Sequence, residues 1–149
     1  MSRSGYTDDY DEDGALAMWR GVIASATRGK RGQQFFRDLV TALDAMPAKR
    51  LVSAELETTD GEVCALGALA RAKGVDMEAM GEAMDDRDYG MLGGAFNIAS
   101  QLTQEVMWEN DEAGPYGGET PEQRWERVRA WAEKQIRKPR EALVDGGTP

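Results

Sequence analysis

Acidic side chains at close spacing are this sequence's main route to chemistry. Asp85, Asp86 and Asp88 form one run, and Asn110, Asp111 and Glu112 a second. Carboxylates that converge can hold magnesium or share the roles of general acid and base. Nothing in the spacing brings the two runs together, and an aspartate-rich loop and a helix end account for them more simply, so no catalytic residue is assigned. A third run, Asp9-Tyr10-Asp11-Glu12-Asp13-Gly14, opens like a calcium-binding EF-hand loop, and Leu16 fits its apolar position. The twelfth position of such a loop supplies a bidentate glutamate, and here it is Arg20. A solvated acidic arm explains the run without calcium.

Cations form the other candidate group. Arg28, Lys30 and Arg31, with Arg37 on the following helix and Lys49-Arg50 beyond, could contact phosphates beside the N–H groups of a helix start. An acidic chain with no exposed aromatic ladder speaks against nucleic acid, and docking of the basic segment on the chain's own acidic half explains the same residues. Histidine is absent and Cys64 is the one cysteine. That excludes Ser-His-Asp and Cys-His nucleophiles, HExxH metalloprotease helices, Cys/His zinc sites and an internal disulfide. Cys64 lies in the most apolar segment and reads as an inert buried thiol. No cofactor or metal is expected.

The net charge of −9 is unevenly spread. Residues 1–14 carry five acids against Arg3, residues 28–50 six bases against Asp38 and Asp44, and residues 51–120 fifteen acids against Arg71, Lys73 and Arg87. Patches of opposite sign steer partners or hold a domain's own parts together. The acidic stretch has two readings, a surface that imitates a nucleic-acid backbone toward a nucleic-acid-binding partner and a charge that keeps the domain soluble.

The elements that must position these groups are helices. A chain of 149 residues is one domain, expected as an acidic flexible arm over 1–14, a single helical domain over 15–138 and a disordered tail over 139–149. Apolar residues at three- and four-residue spacing predict a helix over 15–27. A basic turn over 28–32 follows, its two glycines taking conformations closed to other residues. The next helix, 33–45, carries Phe35, Phe36, Leu39 and Leu43 on one stripe and stops before Pro47. Asp60-Gly61 allows a short hairpin. A buried helix over 63–73, a short one marked by Met77, Met80 and Met84, and a long one over 88–109 come next. Thr120-Pro121-Glu122-Gln123 opens the last, through 137, with a capping box. Trp108, Trp125 and Trp131 are expected to anchor the last two helices against each other; the methionines are expected in the core, with a partner groove as their other use. The fold class is therefore mainly α, a compact bundle of five to six helices with room for one short β-hairpin. The longest uncharged stretch, 89–104, is polar in places and shorter than the about 20 apolar residues of a bilayer span, and the N-terminus lacks a secretory signal's apolar core. A cytoplasmic location is expected.

Several segments carry a resemblance: Arg3-Ser4-Gly5-Tyr6, Trp19-Arg20-Gly21, Arg28-Gly29-Lys30-Arg31-Gly32-Gln33, Ala42-Leu43-Asp44-Ala45-Met46-Pro47, Val63-Cys64-Ala65-Leu66-Gly67-Ala68, Asn110-Asp111-Glu112 and the stretch from Thr120 to Trp131. Together they resemble a group of small proteins, of no assigned activity, encoded by tailed phages and prophages of proteobacteria. The segment from Asp60 to Leu69 followed by Asn-Asp is more loosely similar to families of actinobacteria and phages. The resemblance implies an accessory gene of a mobile element and transfers no residue roles. The expectation is a non-enzymatic, cytoplasmic protein that binds and modulates a host or phage protein complex, inhibition of a nucleic-acid-targeting defence system being one form of this. Its expected contact residues are Arg28, Lys30, Arg31, Arg37, Asp85, Asp86 and Asp88, and a homodimer is compatible with them. The alternative is a nucleic-acid-contacting protein using the basic 28–50 segment.

Overall fold

The computed structural model describes residues 2–6 and 14–138. Over these the chain forms seven helices: α1 Ala15–Arg28, α2 Lys30–Ala45, α3 Ala65–Lys73, α4 Met77–Asp85, α5 Tyr89–Phe96, α6 Ser100–Asp111 and α7 Pro121–Gln135. The mainly α bundle is as the periodicity implies, with one helix more than expected. No helix among the described residues is long and apolar enough to cross a membrane.

α2 is the centre of the bundle. Phe35, Phe36, Leu39 and Leu43 form its buried stripe, and it packs against α1, α3 and α7. The residues of α3 from Ala65 to Ala70 are all buried. Gly67 is required there, since a Cβ would lie 2.2 Å from the Leu56 carbonyl oxygen. Cys64, fully buried, caps α3 by accepting the Gly67 N–H at Sγ, 3.4 Å away. Met80 and Met84 are core residues of α4. α7 opens with the capping box read from its sequence: Thr120 Oγ1 accepts the Gln123 N–H (3.1 Å) and Gln123 Oε1 the Thr120 N–H (2.8 Å).

Four expectations are corrected. The basic turn over 28–32 is a corner of one residue: Gly29 alone is non-helical, while Lys30, Arg31 and Gly32 belong to α2. Neither glycine takes an unusual dihedral, and only Gly32 is needed for space, since an added Cβ on Gly29 would make ordinary contacts at 3.7 Å or more. Gly29 has φ −69°, and a Cβ on Gly32 would sit 1.9 Å from the Ala26 carbonyl oxygen. The long helix over 88–109 is two, broken where Asn97 takes the left-handed conformation (φ 57°); Gly93 fits against the Ile98 carbonyl oxygen, which a Cβ would approach to 2.7 Å. The hairpin shrinks to one antiparallel bridge, Glu57 to Val63. Left-handed Ala54 (φ 67°) diverts the chain before it, and Cys64 starts α3 after it. The tryptophans fasten α7 to α2: Trp131 meets Phe36 edge-on at 5.4 Å, and Trp125 donates to the Leu43 carbonyl at 3.2 Å. Trp108 sits beside Tyr6.

Of the acidic arm, Ser2 to Tyr6 form a strap pinned to α6, in which Ser4 is fully buried. The remainder of the arm, including all but Gly14 of the EF-like run, and the tail over 139–149 lie outside the described residues.

Candidate functional site

Asp111, at the end of α6, ties three parts of the chain together. Its carboxylate receives a two-pronged bond from Arg3, Nε to Oδ2 at 2.6 Å and Nη2 to Oδ1 at 2.8 Å. Oδ1 also accepts the Ala54 N–H at 3.1 Å. The neighbouring Asn110, buried, accepts the Ala65 N–H (3.0 Å) and donates to the Val52 carbonyl (2.9 Å). Arg3 completes its shell with the sulfurs of Met84 (2.9 Å) and Cys64 (3.5 Å). Burial alone works against the guanidinium charge, but Cys64 and Asp111 outweigh it and hold Arg3 well above the ordinary arginine range. Fork geometry of this kind is specific to arginine.

A second knot lies one to two turns earlier on α6. Glu105 is buried and accepts from Tyr6 Oη (2.8 Å) and from both Arg20 prongs (3.0 and 2.8 Å), while Tyr6 Oη accepts from Trp19 Nε1 (2.9 Å). One turn on, Glu109 is pushed up to about 7 by burial first and the nearby Glu105 charge second, with Arg127 and Arg20 pulling the other way.

Above the Arg3–Asp111 pair opens a groove of about 530 Å³, within the range of ligand sites. Residues 54–57 form one wall, Gly81, Met84, Asp85 and Arg87 the other, and the strap's Ser2 and Arg3 its floor. Two of the three non-glycine residues with left-handed backbone among the described residues, Ala54 and Arg87 (φ 55°), line it; the third is Asn97. Arg87 stands at the C′ position of α4, where glycine is the usual occupant: its N–H bonds to the Met84 carbonyl and that of Asp88 to the Ala83 carbonyl. Each such residue costs on the order of 1 kcal/mol, and strain of this sort collects at binding sites.

The groove's rim is acidic. Glu55 and Asp85, continued along α4 by Glu78, Glu82 and Asp86, are exposed and have no side-chain hydrogen bond or ion pair with the described residues. Glu57 is paired with Arg71. Asp85 thus lines the groove and Asp86 lies beside it, whereas Asp88 is occupied as the N-cap of α5, accepting from Met91. The Asn110-Asp111-Glu112 run faces the strap from behind Arg3, so the two carboxylate runs stay apart, and no three metal-ligating side chains converge among the described residues. An apolar hollow of about 390 Å³ beside Met46, Pro47 and Val63 is bordered by cations already engaged, Arg50 with Glu62 and Arg71 with Glu57.

The basic residues divide. Lys49 caps the end of α2 through the Asp44 and Met46 carbonyls, and Arg50 pairs with Glu62 and Glu122. Arg28, Lys30 and Arg37 are exposed with no partner among the described residues, and Arg31 reaches Asn97 Oδ1 at 3.3 Å. The basic corner is not docked on the acidic half. Arg3, Ala54 and Glu55 had no local signal in the sequence, because the groove exists only where the strap, residues 54–57 and α4 meet. No protein-family model, curated protein or solved structure matches the chain.

Proposed function

We propose that the protein is a non-enzymatic binding module that takes a cationic segment of a partner protein into the groove between α4 and residues 54–57. The acidic rim carries this reading: Glu55 and Asp85, with Glu78, Glu82 and Asp86 beyond, face solvent with no cation paired to them among the described residues. A lysine or arginine entering there gains charge-assisted hydrogen bonds, and the field of the whole acidic half steers its approach. The resemblance to phage and prophage proteins supports a partner among host or phage complexes of the cytoplasm. A nucleic-acid-targeting defence protein, whose cationic surface receives phosphates, offers the same complementary chemistry.

Titration with a lysine- and arginine-rich peptide, followed by amide NMR shifts, tests the reading. Shifts are expected at residues 54–57 and 81–87, with affinity falling as salt rises, and the double variant Glu55→Lys/Asp85→Lys should bind at least about tenfold more weakly. Shifts elsewhere, or none, overturn it. The second reading, nucleic-acid contact, is favoured by one observation, that Arg28, Lys30 and Arg37 have no partner among the described residues. It requires that changing Arg28, Lys30 and Arg31 together to alanine abolish retention of nucleic acid.

A further inference from the structure

We propose that the partner's cationic segment enters the groove in extended form and adds a strand to the edge made by residues 54–57, with lysine or arginine alternating with uncharged residues. This rests on the acidic groove as the binding site and adds how the segment is held there. The bridge between Glu57 and Val63 is a pair whose members exchange no hydrogen bond with each other: the Thr58 N–H donates to the Glu62 carbonyl at 2.8 Å and the Cys64 N–H to the Leu56 carbonyl at 3.2 Å. Side chains here alternate as in a strand, Glu55 and Glu57 exposed and Leu56 buried between them. The N–H and C=O of Glu57, and those of Glu55 two residues earlier, therefore turn to the other edge. None of these four groups has a hydrogen-bond partner among the described residues.

The bare edge lies along the groove. Residues 61–63, across the bonded edge, border the apolar hollow, whereas residues 54–57 wall the groove opposite α4. Gly81 gives that part of α4 no side chain, and a Cβ added there would meet nothing within 4 Å, so a second backbone has room beside the first. An extended peptide satisfies the four groups with its own main chain; a helical one, whose main-chain bonds are internal, leaves them bare. The faces of the groove then set the side-chain pattern. Glu55 and Asp85 stand on its solvent side with no cation paired to them among the described residues, and Met84 and the buried guanidinium of Arg3 lie on its floor. A cation pointing outward meets carboxylates, and one pointing inward meets the Arg3 charge. Successive side chains of a strand point to opposite faces, so cations occupy every second position.

Amide NMR of the whole chain with an eight-residue peptide of alternating lysine and alanine tests it. The groove amides should shift, exchange of the Glu55 and Glu57 N–H with solvent should slow at least about tenfold, and a peptide of four lysines followed by four alanines should bind at least about tenfold more weakly. N-methylation decides the pairing. Methylating one alternate set of peptide residues should lower affinity at least about tenfold, and methylating the other should leave it within about twofold, because only one set turns its N–H toward the edge. Loss at the lysines marks an antiparallel strand and loss at the alanines a parallel one. No shift at residues 54–57 and 81–87 overturns the groove reading together with this inference. Shifts there with unslowed Glu55 and Glu57 exchange, equal binding of the block peptide, or equal effects of the two methylated sets overturn strand addition alone and leave the acidic rim as the site.

Discussion

Glu109 shows how a residue's environment turns a charge into a liability. Its carboxyl ordinarily titrates near 4.5 and here near 7, because burial and Glu105 disfavour the charged form more than Arg127 and Arg20 favour it. Well below pH 4.5 the group is protonated whether the chain is folded or not. Between there and 7 the folded state keeps a proton that the unfolded state releases, so stability falls as pH rises, and above 7 the loss is complete. Glu109→Gln, neutral throughout, should match the parent in thermal melts near pH 4 and exceed it near pH 8 by on the order of 1 kcal/mol, the full shift being reduced by partial solvation. A variant less stable than the parent near pH 8 would show that the Arg127 contact outweighs burial. Residues of this kind were visible in the sequence only as types. Asp111 was legible as a carboxylate in an Asn-Asp-Glu run, but its partner Arg3 lies 108 residues away, and no local spacing reports a contact at that separation. Asp88 reads as a contact residue because it belongs to an acidic run, but it serves as an N-cap, a short acceptor just ahead of α5.

Elements were far more legible than the ends and breaks between them. The buried stripe of α2 and the capping box of α7 are local patterns, and both stand where the sequence put them. The corner between α1 and α2 and the break between α5 and α6 are crossings, decided by a glycine pressed against a backbone that the pattern does not contain: Gly32 on Ala26, Gly93 on Ile98. Gly32→Ala tests this directly. Its Cβ would overlap the Ala26 carbonyl oxygen at 1.9 Å, and backbone on both sides leaves no flexible side chain to yield, so the cost should be at least about 2 kcal/mol in denaturant unfolding, at the upper end of ordinary substitutions. Gly94→Ala is the matched control. It sits in α5 with nothing within 4 Å of the added carbon and should stabilise by about 0.5–1 kcal/mol through helix propensity. Equal effects at the two positions would mean that the corner relaxes and that Gly32 is not what sets it. The same contrast explains the basic residues: once Lys30 and Arg31 belong to a helix, their side chains are held outward at the corner, apart from the acidic half that a loose turn would have let them reach.

At the scale of the whole molecule, the strap from Ser2 to Tyr6 decides whether the acidic groove exists. Chain ends are usually dispensable, but here Ser4 is fully buried, Arg3 neutralises Asp111, Tyr6 satisfies Glu105, and the Arg3 and Ser4 carbonyls accept from Tyr89 and Gln104. Removing residues 1–6 leaves the Asp111 carboxylate without its cation while it still accepts from Ala54 and Asn110. Breaking a buried ion pair from one side costs about 3–5 kcal/mol, a large share of the about 5–15 kcal/mol that hold a domain folded, so the truncated chain should unfold at markedly lower denaturant. Global destabilisation alone could follow from any buried segment, and the cycle with Asp111→Asn separates the causes. In the full chain that substitution should destabilise, because it strips the charge from a two-pronged pair; in the truncated chain it should be neutral or stabilising, because it removes a buried charge that has lost its partner. Equal effects in both backgrounds would show that the strap and Asp111 act independently. The groove reading requires them to be coupled, since Asp111 holds both its floor, through Arg3, and its strained wall, through the Ala54 N–H; a chain without the strap should accordingly lose its affinity for the cationic peptide before it loses its helices.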